Sequence, residues 1–207
     1  VISGRPLSLE NVEDHFDALL YGWLLGQETG YAVADLLSGK AVPSGKMPVT
    51  VPRNVGQIPA FYNHKPTARR GYAFADASPL YAFGHGLSYT RFEFGNVSLS
   101  KDTISPDGNT TASITVTNTG EYKADEVVQL YIRDDVSSVT RPVLELKGFE
   151  RITLAPGASK TVEFTITPEH LQFFNRDMKR VVEAGTFTIM LGNSSQSLKH
   201  TKLTVVK

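Results

Sequence analysis

The 207-residue chain has no cysteine, so disulfides, thiolate nucleophiles and Cys-based metal sites are all excluded. It has no net charge either. Its 21 basic and 21 acidic residues cancel, and no overall field draws it to nucleic acid or an anionic membrane. No apolar run approaches the roughly 20 residues that span a bilayer. Histidine is sparse: His15, His64, His85, His170 and His200 lie far apart, without metal-site spacing. No glycine-rich phosphate loop follows a strand. Neither a metal nor a cofactor is expected. Trp23 is the single tryptophan; beside Leu24 and Leu25 it reads as core, with sugar stacking the sharper alternative.

What is present is an ordinary apolar fraction, 41%, which excludes a disordered chain. The length suits part of one domain followed by a complete small one. Between them stands Tyr81-Ala82-Phe83-Gly84-His85-Gly86-Leu87-Ser88-Tyr89-Thr90. Glycines on both sides of His85 allow close backbone approach, and the rings of Tyr81, Phe83 and Tyr89 can bury large areas. This reads as a rigid joint. Asn96-Val97-Ser98, Asn109-Thr110-Thr111 and Asn193-Ser194-Ser195 fit the glycosylation acceptor pattern, but chance explains them in a chain so rich in Asn, Ser and Thr.

The first half is patterned as α/β units. Val1-Ile2 running into Ser3-Gly4-Arg5-Pro6 looks like a buried parallel strand reaching its loop, so the chain is expected to begin within a domain. Val12, His15, Phe16, Leu19 and Leu20 recur at helical spacing over Glu10–Leu20, although Ala18–Trp23 could instead begin a strand. A second helix is expected over Tyr31–Leu37, capped by Thr29 or Glu28 and ended by Gly39. Met47–Pro52 is a short extended segment bracketed by prolines, at a sheet edge. From Arg53 to Pro79 no period is sustained; an irregular arm of this length is either functional or wrapped against another domain. These pieces cannot bury a core alone, and something upstream must complete the sheet.

The second half reads as strands. Ile114 and Val116, then Val128, Leu130 and Ile132, alternate with polar residues. Val162, Phe164 and Ile166 do the same, followed by Phe187, Ile189 and Leu191, and by Leu203 and Val205. Gln129, Tyr131 and Arg133 fall on the outward face. Gly148 marks a bulge or bend. About seven short strands between regular turns indicate an antiparallel sandwich of immunoglobulin-like type.

A series of segments resembles the C-terminal end of glycoside hydrolase family 3, the β-glucosidase and β-xylosidase group. They are Ser3-Gly4-Arg5-Pro6-Leu7, Gly26-Gln27-Glu28-Thr29-Gly30, Ala34-Asp35-Leu36-Leu37-Ser38-Gly39 and Pro43-Ser44-Gly45-Lys46-Met47-Pro48-Val49-Thr50. Further on come Gly56-Gln57-Ile58-Pro59, Tyr62-Asn63-His64-Lys65-Pro66, Pro79-Leu80-Tyr81, Phe83-Gly84-His85-Gly86-Leu87-Ser88-Tyr89-Thr90 and Leu146-Lys147-Gly148-Phe149. The likeness runs in order through nearly the whole chain. It implies the end of an α/β sandwich domain over residues 1–52, a connecting arm and joint over 53–90, and a fibronectin type III-like sandwich over 91–207. It also implies that a barrel carrying an aspartate nucleophile, and a glutamate acid/base, belong to an upstream portion.

Retaining glycosidases need two carboxyl groups about 5–5.5 Å apart. Glu28 reads as a helix cap, while Asp14, Asp17 and Asp35 read as solvated or paired helix residues. Asp134-Asp135 reads as a charged strand end. No catalytic residue is therefore expected here. The candidates for the neighbourhood of substrate are Tyr62, His64, Arg69 and Arg70 on the arm. Their ordinary alternative is a structural clamp, with the arginines paired to carboxylates of the barrel. The expected parent is an exo-acting retaining β-glucosidase or β-xylosidase acting on oligo- or aryl β-glycosides. The upstream portion is the partner, and the chain alone is inactive. The resemblance implies a periplasmic or secreted address. The alternative is a non-catalytic carbohydrate-binding or adhesion module, which would display exposed aromatics in a row; Tyr131 and Phe164 form none.

Overall fold

Alternation in the second half becomes two packed sheets. The computed structural model describes residues 1–9, 12–66 and 76–207. Its strands are β1 (Phe92–Phe94), β2 (Ser98–Leu99), β3 (Thr103–Ile104), β4 (Thr110–Asn118), β5 (Ala124–Asp134) and β6 (Glu145–Leu154). They continue with β7 (Ser159–Ile166), β8 (Phe173–Phe174), β9 (Arg180–Val181), β10 (Gly185–Gly192) and β11 (Leu198–Val205). In one sheet β4 is central, with β7 along one edge and β1 then β2 along the other, all antiparallel. The second sheet runs β3-β11-β10-β5-β6, and only the β3–β11 pair is parallel. β8 and β9 form a separate ribbon.

The inward residues of both sheets form one core that includes Ile114, Val116, Val128, Leu130, Val162, Ile166, Phe187, Ile189 and Leu203. Full burial of each such side chain contributes about 1.5–3 kcal/mol relative to exposure. Gly148 sits at the bulge: Leu130 pairs with Gly148 but Tyr131 with Leu146, leaving Lys147 as the extra residue. A Cβ on Gly148 would come 3.2 Å from the Phe164 ring.

The first half follows its pattern less closely. Among the described residues of the expected Glu10–Leu20 helix, only Glu13–His15 forms a 3-10 turn, and Phe16 is already extended. Val12, Phe16 and Leu20 are exposed, so among the described residues the apolar stripe has no surface to pack on, and periodicity alone does not sustain a helix. No strand forms over Ala18–Trp23 either, where the chain is extended without a paired strand among the described residues. The Val1 amino group donates to Leu20 O at 2.7 Å and Gly22 N–H to Val1 O at 2.8 Å.

Helix α1 spans Thr29–Leu37 and ends before Gly39, whose φ of 74° is the left-handed conformation that glycine tolerates. No side chain caps it. Glu28 occupies the cap position without a side-chain hydrogen bond, and the Thr29 hydroxyl donates back to Gly26 O. Its apolar residues divide: Tyr31 is 77% and Leu37 76% exposed, while Val33 and Leu36 are partly buried. Single exposed apolar residues are ordinary, but a contiguous set marks a surface meant to be covered.

Asn118, fully buried at the end of β4, ties the start of the sandwich together. Its Oδ1 accepts from the Thr90 hydroxyl at 2.7 Å and Gly120 N–H at 3.1 Å. Its Nδ2 donates to Tyr122 O at 2.8 Å and Leu154 O at 3.0 Å. Asn118→Ala strands buried partners and is expected to destabilise the chain by about 1–3 kcal/mol or more. The readout is a lower urea midpoint at unchanged slope.

Candidate functional site

The best-organised polar cluster lies where the joint meets the outward face of β5. Gln129, placed on that face by strand alternation, is buried. Its amide Nε2 donates to Asn193 O at 2.8 Å and Gly84 O at 3.3 Å, while its Oε1 accepts from the Tyr131 hydroxyl at 2.6 Å. Tyr131 is fully buried, and burial pushes its phenol well above the ordinary value, with Tyr62 adding to the shift. It therefore stays a donor. The outward face is thus covered by the arm: Tyr62 stacks on Phe83 at 4.4 Å and meets Tyr131 edge-on at 5.7 Å.

The joint's glycines serve close approach. Gly84 has φ 80°, and a Cβ there would lie 2.2 Å from Gln129 Oε1; on Gly86 it would lie 2.1 Å from Gly45 O. Met47 N–H donates to His85 O and Gly84 N–H to Met47 O, both at 2.7 Å, and Val51 bridges Tyr81 antiparallel. Ser195 N–H donates to Phe83 O at 2.9 Å. Lys46 lies 2.6 Å from Glu126, both largely buried, and also donates to Gly86 O at 3.1 Å. Removing either charge leaves the other uncompensated, at about 3–5 kcal/mol. His85 stacks on Tyr81 at 5.6 Å. Burial, and then the Lys46 charge, hold its pKa below the ordinary 6.5. Of the joint's rings, Tyr89 stays exposed, its hydroxyl donating to Leu36 O at 2.8 Å.

The arm candidates separate. Tyr62 is half-buried in the aromatic cluster, and its hydroxyl accepts from Leu146 N–H at 3.4 Å. His64 contributes its carbonyl to Val143 N–H at 2.9 Å, and its Nδ1 lies 3.0 Å from Lys65 O. Arg69 and Arg70 lie outside the described residues. Past residue 75, Gln57 Nε2 donates to Asp76 O at 2.7 Å and Arg53 Nη2 to the Ser78 hydroxyl at 3.3 Å.

The carboxylates are dispersed. Asp35 pairs with Lys40 at 3.1 Å, and Glu28, Asp14 and Asp17 are exposed. Asp134 and Asp135 differ although adjacent. Asp135 pairs with Lys202 at 2.8 Å and accepts from the Thr188 hydroxyl at 2.7 Å. Asp134 is turned inward. Burial pushes its pKa up to about 6 against the opposing Arg141 charge, with Glu183 and Asp135 adding to the rise. It lines a cavity of about 260 Å³ with Pro66, Ser137, Thr140 and Arg141. Only the reading of a charged strand end for Asp135 fits its pairing; sequence spacing carried no sign of the partial burial of Asp134. Trp23 is partly buried, with φ 52° and its ring 4.6 Å from that of Tyr21.

Two outcomes follow from the joint. Gly84→Ala is expected to detach the strip from β5, seen as faster proteolysis between residues 45 and 90 with amide exchange in β4 and β10 unchanged. Because folding lowers the His85 pKa, its neutral form is favoured when folded, and the unfolded chain binds more protons once pH falls below 6.5. Stability present above pH 6.5 is therefore lost as pH falls below it. His85→Gln should flatten this part of a denaturant-midpoint profile against pH.

Residues 1–89 match the glycosyl hydrolase family 3 C-terminal domain and residues 126–195 the fibronectin type III-like domain. A beta-xylosidase of Formosa agariphila is 46% identical, over 99% of this chain and 29% of its own length. A periplasmic beta-glucosidase of Salmonella typhimurium is 45% identical, over 96% of this chain and 28% of its own. Among solved structures, a β-glucosidase from Erythrobacter marinus superposes with TM-score 0.96 at 44% identity, covering 99% of this chain and 27% of that one. The glucose complex of Listeria innocua β-glucosidase superposes with TM-score 0.95 at 35% identity, covering 100% and 30%. The chain thus spans less than a third of the length of the relatives it matches. With an α/β remnant, a joint and a fibronectin type III-like sandwich in that order, this chain belongs to glycoside hydrolase family 3 and corresponds to the C-terminal part of its members.

Proposed function

We propose that the protein to which this chain belongs is an exo-acting retaining β-glycosidase, a β-glucosidase or β-xylosidase. The observation that carries this reading is identity of 45–46% over almost the whole chain to proteins named as such. In the two-step mechanism one carboxylate attacks the anomeric carbon while a carboxylic acid protonates the leaving oxygen, and water then reverses the steps. Both groups belong to the upstream portion. The carboxylates described here are solvated, paired or, for Asp134, turned into the sandwich.

This chain's own work is mechanical. The exposed apolar residues of α1 and of Leu24, 79% exposed, suit burial against the upstream portion. The joint fixes that portion to a sandwich with a complete core. We divide the chain into the α/β end at 1–52, arm and joint at 53–90 and sandwich at 91–207. Tyr62 and His64 are engaged with the sandwich, which favours a clamp over direct contact for these two. Arg69 and Arg70 remain proposed as the arm's substrate-proximal or carboxylate-pairing residues. Among the described residues no helix is long and apolar enough to cross a membrane, and the named relative supports a periplasmic address.

The test is hydrolysis of aryl β-glucoside and aryl β-xyloside. The longer protein should turn over at least one of them, and residues 1–207 alone neither. Turnover by the isolated chain, abolished in Glu28→Gln or Asp35→Asn, would place the catalytic pair here and overturn the assignment.

A further inference from the structure

Independently of the glycosidase reading, we propose that the loop joining β5 to β6 is a proton-operated clasp on the arm, with the Asp134 carboxyl as the group that takes up the proton. Strand alternation sets its position. Val128, Leu130 and Ile132 point into the core, and Asp134 continues that inward face as the last residue of β5, opposite Phe187 of β10. An acid stands where the pattern calls for an apolar side chain. Its Oδ2 is buried and, among the described residues, has no hydrogen-bond partner. An ionised carboxylate buried in this way is costly, and the neutral acid costs far less.

The groups around it are committed elsewhere. Glu183, just ahead of β10, accepts from Ser138 N–H at 2.9 Å and from the Ser138 hydroxyl. Arg141 pairs with Glu145 and lies 5.0 Å over the Phe173 ring. Its charge favours the Asp134 carboxylate, while Glu183 and Asp135 oppose it. Asp135 is held by Lys202 and the Thr188 hydroxyl, with Arg133 3.9 Å away. The short helix Pro168–Leu171, packed on β5, adds Glu169 and His170, whose Nδ1 accepts from Thr167 N–H at 3.1 Å. None of them bonds Oδ2.

The ionised form is relieved when the loop lifts and water reaches Oδ2. The cavity of about 260 Å³ lies against Ser137, Val139, Thr140 and Pro142 of the loop and Pro66 of the arm, so close packing does not lock the loop in place. The same loop grips the arm, since Val143 N–H donates to His64 O at 2.9 Å. Closure raises the Asp134 pKa from 3.8 to about 6, so the closed loop binds the proton more tightly than an open one. Its contribution to closure is fully present below pH 3.8 and is lost as pH rises through about 6. His85 in the joint has the opposite sign.

The experiment is amide hydrogen exchange on the full-length protein at about pH 5 and about pH 7.5, each corrected for the intrinsic rate. In peptides covering residues 135–144 and 62–66, protection should be about tenfold greater at the lower pH, as follows from 3.8 open and about 6 closed. Both should exchange faster than β4, as local opening requires. In Asp134→Asn, uncharged throughout, the two pH values should agree within about twofold. A tenfold dependence that survives in Asp134→Asn, or none in the unmodified protein, overturns the proposal. So does loop protection equal to that of β4, which means global unfolding alone, or an arm peptide that does not follow the loop.

Discussion

The arrangement depends on one buried amide. Gln129 cannot reach water, so its donors and acceptor must be satisfied by protein or cost the chain about 1–3 kcal/mol each. It finds them on three separate segments: the joint at Gly84, the β10–β11 turn at Asn193, and its strand neighbour Tyr131. An apolar side chain at this place would tolerate a sliding contact. An amide with directional partners does not, because a shift of either segment leaves a buried polar atom unpaired. The Gly84 backbone must come close enough for this, which explains why no side chain is possible there.

The sandwich was legible because its signal is local and repeated. Alternating apolar residues such as Ile114 and Val116 fill a core supplied wholly by this chain, and Gly148 marked the bulge. Alternation also placed Gln129, Tyr131 and Arg133 outward, and there it misled by assuming that outward means solvated. Only tertiary contact with Tyr62 and Phe83 turns that face into a second buried layer. Gln129 within the otherwise apolar stretch from Val127 to Ile132 was the one available sign. At Trp23 the backbone angle of 52° leaves no trace in residue spacing. The segments around Ser3–Leu7 and Phe83–Thr90 carried the family, but family membership did not locate the catalytic pair within this chain.

The two halves differ in what they bury. The sandwich closes its own core, whereas the helix expected over Glu10–Leu20 shortens to a turn at Glu13–His15, and α1 leaves Tyr31 and Leu37 outside. This is what an amphipathic pattern does when its partner surface is contributed from elsewhere: the backbone keeps whatever local hydrogen bonds it can make, and the stripe waits. The strip around Met47–Val51 is the exception in the first half. It is ordered because its hydrogen bonds run to Tyr81 and Gly84 in the joint rather than to the α/β layer.

That exception assigns the direction of support. Thr50, Val51 and Pro52 are buried while the residues of α1 are not, so the strip against the joint is the part of the α/β end that the sandwich side holds. A buried Lys46–Glu126 pair is a poor source of net stability, since desolvation offsets much of its attraction, but it is strongly selective for one geometry. Combined with Gln129, it fixes where the α/β end begins relative to β5. If the catalytic carboxylates lie upstream, tolerances of about 0.5 Å at their site would be inherited in part from this joint. In that case the sandwich needs no ligand of its own to matter for catalysis: its role is to hold one edge of the α/β layer still.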